Sequence, residues 1–246
     1  MATSYRALCS DFYVNSRLSV RMELPSGREP VLELFERTRR AYPTMNAFRR
    51  YKDELALESA PNAAPHRWMA IRNASVRAGV VNPSSEDEMH DLHRTVAETS
   101  PYFLSISPLD LESIELLYGF DLSARGNHDE IAANALLGGS ALASLMDADH
   151  TRISSCEPTL GMRLGTGDGM EAVFEVKTRS ADKPSHESDE PISIYLVLRH
   201  HDPVSDLRAL PERLDALAER GRTLVDEYVV PNMLVPLRDE IGSRSF

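Results

Sequence analysis

The segment DLESIELLYGFDLSARGNHDEIAANALL, residues 110–137, joins an extended, largely apolar run to the start of a helix. Its first part, which ends at Leu122, predicts a β-strand. Asn127 then stands at a suitable N-cap position, with Glu130 three residues later, and Gly138-Gly139 ends the helical pattern. The segment therefore predicts a strand that leads directly into a capped helix.

The same order of elements occurs near the start of the chain. RLSVRMEL, residues 17–24, alternates apolar and polar residues, which predicts a strand with one covered and one polar face. In the following PSGREPVLELFERTRRAYP, Ser26 and Glu29 have capping-box spacing and the apolar residues recur at helical spacing. Both halves of the chain are thus predicted to begin with a strand and a capped helix.

Further strands and a second helix are predicted in the first half. Candidate strands occupy residues 48–58 and 67–81, and the second of these can fold back on itself near Arg72-Asn73. A helix follows, capped by Ser84 or Ser85, with acidic residues in its first turn where the helix dipole favours them.

The second half continues in the same order. After the short helix or turn SALASLMD, three strands and a long C-terminal helix are predicted: residues 152–164, 170–179 and 192–201, and the helix that begins within DPVSDLRALPERLDALAERGRTLVDEYV at residue 202. The turn GTGDG, in which Asp168-Gly169 suits positive φ angles, joins the first two strands as a hairpin. It precedes a strand, so it does not resemble a dinucleotide-binding loop.

This repeated order predicts an α+β fold with an internal duplication of a β-α-β-β(-β)-α unit. Capping residues are common at helix starts, so the shared order of elements, and not the caps, indicates the duplication. Such units place an antiparallel sheet, or sheets, against helices on one face. The expected division is 1–105 and 106–246, with a longer exposed loop at 180–190 and the C-terminal helix in the second unit; one continuous domain is the alternative.

The composition limits the classes of function. Thirty-eight acidic residues exceed 27 basic ones, which gives a net charge of −11 and disfavours non-specific binding to nucleic acid. The basic segment between Arg37 and Lys52 is the local exception. No apolar run is long enough to cross a membrane, and the N-terminus lacks the pattern of a signal peptide, so a cytoplasmic location is expected. Two cysteines, Cys9 and Cys156, form neither a disulfide framework nor a zinc cluster.

The string GNHDE, residues 126–130, is the most enzyme-like in the chain. His128 with a neighbouring carboxylate could serve as a general base or as a metal ligand. A structural interpretation explains the other residues, because Asn127 caps the helix, Asp129 and Glu130 complement its dipole and Gly126 permits a sharp entry. His128 alone is left without a structural explanation.

Two other groups of histidines are weaker candidates. His90 and His93 are three residues apart on a predicted helix and could contact one metal ion, but no further ligands have a recognisable spacing. His200, His201 and Asp202 end a predicted strand, where adjacent residues face opposite sides of the sheet. Asp202 also occupies the place of a turn or capping residue. Cys9 and Cys156 are possible nucleophiles without a local activating group.

Two hypotheses about function follow. The first is a non-catalytic binding or assembly module that holds a small ligand or a protein partner in the cleft between the repeats or on the open sheet face. The alternative is a hydrolase or metal-assisted enzyme that uses His128, His200 or His201 with nearby acids. No cofactor is predicted. The C-terminal VPNMLVPLRDEIG, residues 230–242, either covers the domain or forms a contact between identical subunits.

Overall fold

A computed structural model describes residues 5–25, 27–146, 152–165, 169–179, 190–201 and 204–244. Within these residues nine strands form one antiparallel sheet. The strands are β1 (Asp11–Val20), β2 (Met45–Arg50), β3 (Glu54–Ser59), β4 (His66–Arg72), β5 (Ser75–Val81), β6 (Leu111–Leu122), β7 (Thr159–Leu164), β8 (Met170–Lys177) and β9 (Ile192–His200).

The strand order across the sheet is β2-β3-β4-β5-β1-β6-β9-β8-β7. The first strand of each predicted unit, β1 or β6, lies at the centre, and the last strand of the same unit lies beside it. The remaining strands then follow outward on each side. This strand order is consistent with the predicted duplication, and the division at residues 105 and 106 stays a prediction. Because β1 pairs with β6 along almost its whole length, the sheet is continuous across that division.

The helices cover one face of the sheet, so the predicted α+β class is confirmed. They are α1 (Arg28–Ala41), α2 (Glu86–Phe103), α3 (His128–Leu137), α4 (Ala143–Met146), α5 (Leu210–Leu224) and α6 (Val235–Ser243), with a π-helical segment, Val225–Leu234, between α5 and α6. The long α2 packs on β1 and β5, whereas α5 packs on β6 and β9. In β1 the side chains of Phe12, Val14 and Leu18 point towards this helical layer and are buried.

Helix α5 approaches the centre of the sheet closely at Gly221. A Cβ atom at this position would lie 2.3 Å from Cε2 of Tyr118 and 2.8 Å from Cδ1 of Leu198. The hydroxyl of Tyr118 also donates a hydrogen bond to the carbonyl oxygen of Ala218, at 3.1 Å. A glycine is therefore required here by packing.

Several local predictions need correction. The strand predicted at 48–58 is a hairpin of β2 and β3, closed by a hydrogen bond from Tyr51 N to Glu54 O. The predicted strand 17–24 begins earlier, at Asp11, and ends at Val20. The predicted strand 152–164 is regular only in β7, and the C-terminal helix begins at a 3₁₀ turn, Leu207–Ala209, five residues later than expected.

Other predictions about turns and caps have mixed outcomes. The fold-back near Arg72-Asn73 is confirmed, because β4 and β5 pair on either side of it. Helix α1 has Gly27 as its N-cap without a side-chain hydrogen bond. Ser26, Asp168 and nearly all of the loop 180–190 are outside the described residues.

The C-terminal segment packs against its own chain. Leu234 and Leu237 are fully buried, and α6 lies against α3. The segment therefore covers the domain, and a contact between identical subunits stays a prediction. No helix in the described part of the chain is long and apolar enough to cross a membrane.

Candidate functional site

His128 occupies a structural position at the start of α3. Its side chain is 1% exposed, and its two ring nitrogens are each 3.2 Å from a backbone carbonyl oxygen, Nδ1 from that of Thr178 and Nε2 from that of Ala124. Asn127 forms the predicted cap, since its Oδ1 accepts hydrogen bonds from the backbone N–H groups of Asp129 and Glu130. The imidazole thus ties the helix to the end of β8 and has almost no surface for a substrate.

Asp129 is buried beside His128 and has its own structural partners. One carboxylate oxygen accepts a hydrogen bond of 2.6 Å from the hydroxyl of Thr178 and one of 2.8 Å from the backbone N–H of Cys156. A buried carboxylate satisfied in this way holds the chain around Cys156 against α3. His128 and Asp129, one of the two histidine–carboxylate pairs in GNHDE, therefore hold three segments together.

His90 and His93 lie between α2 and the sheet. Nδ1 of His93 is 2.9 Å from Oγ of Ser16, while its buried Nε2 has no hydrogen-bond partner in the described part of the chain. Burial lowers the pKa of His90 to about 4 and that of His93 to about 3. Among the described residues no group of three His, Cys, Asp or Glu side chains is placed to hold a metal ion.

The strand-end histidines are not near His128. His200 is the last residue of β9, with Nδ1 2.9 Å from Nη1 of Arg213, and the exposed His201 lies 3.5 Å from a carboxylate oxygen of Glu171. His128 contacts Thr178, just beyond the opposite end of the β8–β9 pair. At about 3.3 Å per residue, the two ends of this pair are roughly 25 Å apart. Asp202 lies outside the described residues. The structure thus does not bring the candidate histidines together.

The two cysteines are not activated as nucleophiles, and the arginine-rich segment is divided between two elements. Burial raises the pKa of Cys9 to about 12 and also raises the pKa of Cys156, so neither thiol is activated. In the basic segment, Glu36 binds both Arg39 and Arg40 on α1, whereas Arg49 lies on β2. The arginines of this segment therefore belong to two different elements and are partly neutralised.

The face of the sheet opposite the helices, which we call the open face, is lined by polar and apolar side chains in transverse rows. Each row crosses the sheet through residues that are directly opposite one another in register. One row, the charged row, comprises Arg77, Arg17, Glu115, Arg199, Glu171 and Arg163, on β5, β1, β6, β9, β8 and β7. Six adjacent strands thus each contribute a charged residue at the same level.

The charged row is balanced at one end and positive at the other. Glu115 accepts a hydrogen bond of 2.6 Å from Arg199, which is also directly opposite Glu171. Arg17 and Arg77 are opposite each other without an intervening carboxylate, and opposed like charges destabilise a sheet. Arg17 reaches Glu115 only at 3.8 Å and remains 53% exposed. The positive charge of the row is therefore concentrated where β1 and β5 meet.

Arg72 adds a further positive charge at this end of the row. It is the exposed last residue of β4 and has no ion pair with any described residue. Arg77 is partly compensated, because it forms a 3.1 Å ion pair with Glu54, and its guanidinium carbon lies 5.4 Å from the ring centroid of Trp68. Arg17, Arg72 and Arg77 thus share this surface, where Arg77 is paired with Glu54 at 3.1 Å and Arg17 lies 3.8 Å from Glu115.

The neighbouring row on the same face, which we call the apolar row, lies two residues away from the charged row on each strand. It comprises Trp68, Gly79, Asn15, Leu117, Val197 and Val173, again in direct register. A Cβ atom at Gly79 would lie 2.3 Å from both the Trp68 ring and Oδ1 of Asn15, so the glycine lets these groups lie flat on the sheet. The Oδ1 atom of Asn15 is buried and has no hydrogen-bond partner among the described residues.

A groove of about 470 Å³ lies over these two rows. Its lining includes four arginines and one carboxylate, together with small polar and apolar residues: Asn15, Ser16, Arg17, Arg72, Asn73, Ala74, Ser75, Arg77, Glu115, Leu117, Val197 and Arg199. The groove joins strands of both predicted units, since β4, β5 and β1 belong to the first and β6 and β9 to the second. We take it as the candidate ligand site.

Sequence reasoning missed all the residues of this groove. Arg17 and Glu115 were ordinary polar positions of alternating strands, and no short motif marks them. The signal that could have found them is the register of the sheet, which aligns Arg77, Arg17 and Glu115 although they are far apart along the chain. The predicted ligand location, the cleft between the repeats or the open sheet face, stays a prediction, and the groove lies on the open face.

Comparison with known proteins adds little to this description. No protein-family model matches the chain, and no curated protein is significantly similar to it. Among solved structures, the chain is similar to the crystal structure of the di-domain ARO/CYC BexL from the BE-7585A biosynthetic pathway, with 9% identity over 78% of this chain and 76% of that chain. The TM-score of that comparison is 0.21, so the site is interpreted from its own residues alone.

Proposed function

We propose that the protein is a non-catalytic binding module that holds a small organic anion in the groove on the open face. The observation that carries this proposal is the opposition of Arg17 and Arg77, joined by Arg72, in a groove at the junction of the two halves. Arginine guanidinium groups recognise carboxylates and phosphates through paired N–H donors. An anion between these side chains would relieve the repulsion between them.

The positive charge of the groove contrasts with the negative charge of the whole chain. The protein carries a net charge of −11, yet its groove contains four arginines against one glutamate. A positive concave surface on an acidic protein attracts small anions at short range, while the surrounding negative charge repels long polyanions. A small anion therefore suits the groove better than a nucleic acid.

The groove offers binding groups and lacks a catalytic set. None of the described residues that line it is a histidine, cysteine, lysine or tyrosine. Glu115 is held by Arg199 at 2.6 Å and is therefore occupied as an acceptor. Ser75 has no general base among the lining residues, and the hydroxyl of Ser16 is turned away from the groove towards α2, where it lies 2.9 Å from Nδ1 of His93. These features support binding over turnover.

The fluorescent anion 8-anilinonaphthalene-1-sulfonate tests the proposal, because it combines a sulfonate with an apolar body. We expect Arg72→Glu to weaken its binding at least tenfold, since a charge-assisted hydrogen bond contributes about 1.5–3 kcal/mol. Arg28→Glu is the matched control: it makes the same change of charge at an exposed residue of α1, outside the groove. Its affinity is expected to stay within about twofold of wild type. Equal affinity of Arg72→Glu and wild type would contradict the proposal.

A further inference from the structure

We infer that the ligand is an organic monoanion, with one negatively charged group attached to an apolar body, and that Glu115 restricts the groove to a single negative charge. This inference rests on the proposed function and adds the ligand class and a specificity-determining residue. It follows from the order of the two rows and from the pairing within the charged row.

The anionic group of the ligand binds at the positive end of the charged row. Arg17 and Arg77 oppose each other there, and Arg72 extends from the adjacent end of β4. Of these three, Arg17 is more than half exposed and Arg77 is 37% exposed although one of its nitrogens donates to Glu54, so both side chains are partly open in the groove that they line. A carboxylate or a similar group at this end contacts up to three guanidinium groups.

The apolar body of the ligand lies over the apolar row. Successive residues on one face of a strand are about 7 Å apart, so this row begins roughly 7 Å from the charged one. Leu117 and Val197 are directly opposite each other there and form the part of the groove floor that is nonpolar. An alkyl or aryl group attached to the anion at the arginines would lie over these two side chains and bury apolar surface.

Glu115 prevents this part of the groove from accepting a second anion. Its side chain is 11% exposed and lies in register between Arg17 and Arg199, two residues before Leu117. Arg199 is already paired, because it is bonded to Glu115 on one side and is opposite Glu171 on the other. A second carboxylate above Leu117 would therefore be repelled by the negative charge of Glu115, and no uncompensated arginine would be there to bind it.

Two acids of equal chain length test this inference by competition with 8-anilinonaphthalene-1-sulfonate. Octanoate has one carboxylate and an apolar end, whereas octanedioate has a carboxylate at both ends. For wild-type protein we expect octanoate to displace the probe at a concentration at least fivefold lower than octanedioate. Equal or stronger displacement by octanedioate would overturn the inference, as would a failure of both acids to displace the probe.

The role of Glu115 is tested with Glu115→Gln, which keeps an oxygen acceptor for Arg199 and removes the charge. The preference for octanoate is expected to fall below twofold in this variant. Glu112→Gln, at an exposed position of the same strand that does not line the groove, is expected to retain the wild-type preference. An unchanged preference in Glu115→Gln would contradict the role of this residue; if that variant does not fold, the wild-type competition still decides the ligand class.

The inference and the proposed function fail in different ways. If the groove does not bind anions, Arg72→Glu binds the probe as wild type does. If the groove binds anions but the ligand class is wrong, Arg72→Glu still loses affinity while octanedioate competes as well as octanoate. The two sets of measurements therefore separate the site from its specificity.

Discussion

Arg17 and Arg77 are directly opposite each other on the antiparallel strands β1 and β5, with both side chains on the open face. Directly opposed like charges in a sheet destabilise it, whereas opposed unlike charges stabilise it. The neighbouring pairs in the same row, Arg17–Glu115 and Glu115–Arg199, are of the second kind. The sheet therefore carries an unfavourable pair at the position where the groove is most positive, as expected where a binding site is maintained at some cost in stability.

Substitution of one arginine of this pair should separate stability from binding. In the absence of added anions, Arg17→Gln is expected to leave the free energy of unfolding unchanged or to raise it by up to about 1 kcal/mol, because removal of the repulsion from Arg77 offsets the loss of the exposed, 3.8 Å pair with Glu115. The affinity for 8-anilinonaphthalene-1-sulfonate should fall at the same time. The measurements are urea denaturation at low salt and a fluorescence titration.

A control for this prediction is available at the other end of the charged row. Arg163 faces Glu171, with 3.7 Å between the charged groups, and its side chain is 89% exposed. Arg163→Gln is expected to lower the free energy of unfolding by at most about 0.5 kcal/mol, as is usual for exposed pairs. If Arg17→Gln destabilised the protein more than Arg163→Gln does, the Arg17–Arg77 pair would not be unfavourable.

Gly221 provides a test of the packing of α5 on the sheet. Alanine is favoured over glycine in a helix by about 0.8–1.0 kcal/mol. At Gly221, however, the added methyl group would lie 2.3 Å from a ring carbon of Tyr118. Because overpacking of a core costs typically about 1–3 kcal/mol, Gly221→Ala is expected to lower the free energy of unfolding despite its helix propensity.

Gly242 is the matched control for that substitution. It lies near the end of α6, and nothing is found within 4 Å of its added Cβ atom. Gly242→Ala should leave the stability unchanged or raise it by up to about 1 kcal/mol. Thermal and urea denaturation of the two variants are compared; equal stability changes would show that α5 does not depend on the glycine.

The two acids of GNHDE should differ in their effect on stability although they are adjacent. Asp129→Ala removes the acceptor of a buried hydrogen bond from Thr178 and a partly buried one from Cys156, and leaving a buried donor unsatisfied costs about 1–3 kcal/mol. Glu130 is 46% exposed and lies 3.5 Å from Arg244, so Glu130→Ala should cost no more than about 1 kcal/mol. Both substitutions remove one negative charge from the same helix end, which makes the pair a control for the helix dipole. Similar losses in urea denaturation would assign the effect to the dipole and contradict the buried network.

The fold was predictable to the extent that its signals are local. Alternation in RLSVRMEL indicated a strand, and the cap at Asn127 has the predicted hydrogen bonds. The hairpin between β2 and β3 was missed because its turn, residues 51–53, contains neither glycine nor proline, and Asp53 alone is a weak turn signal. Local turn chemistry therefore limited the accuracy of the strand boundaries.

The candidate site was not predictable, because it depends on register. Arg17 and Arg77 are separated by 60 positions in the sequence and meet only since β1 pairs with β5 in one alignment. A shift of that pairing by one residue would move all the side chains of one strand to the other face. Conversely, His128 looked functional because sequence does not show that its ring is enclosed by the carbonyls of Thr178 and Ala124.

The buried histidines of α2 predict how stability depends on pH. The pKa values of His90 and His93 are lowered in the folded protein, mainly by burial, from an ordinary value of 6.5 to about 4 and about 3. As the pH falls below 6.5, the unfolded chain binds protons that the folded chain does not, so the unfolded state is favoured. The stability contributed by the neutral rings is complete above pH 6.5 and decreases down to the folded pKa values.

Each histidine should then contribute a slope that approaches about 1.4 kcal/mol per pH unit between pH 6.5 and about 4.5. His93→Gln removes the more deeply buried ring, and we expect the loss of unfolding free energy over this interval to become shallower by about that slope. Urea denaturation of wild type and His93→Gln at several pH values measures these slopes. Parallel curves for wild type and His93→Gln would mean that His93 titrates normally in the folded protein and is therefore accessible to water.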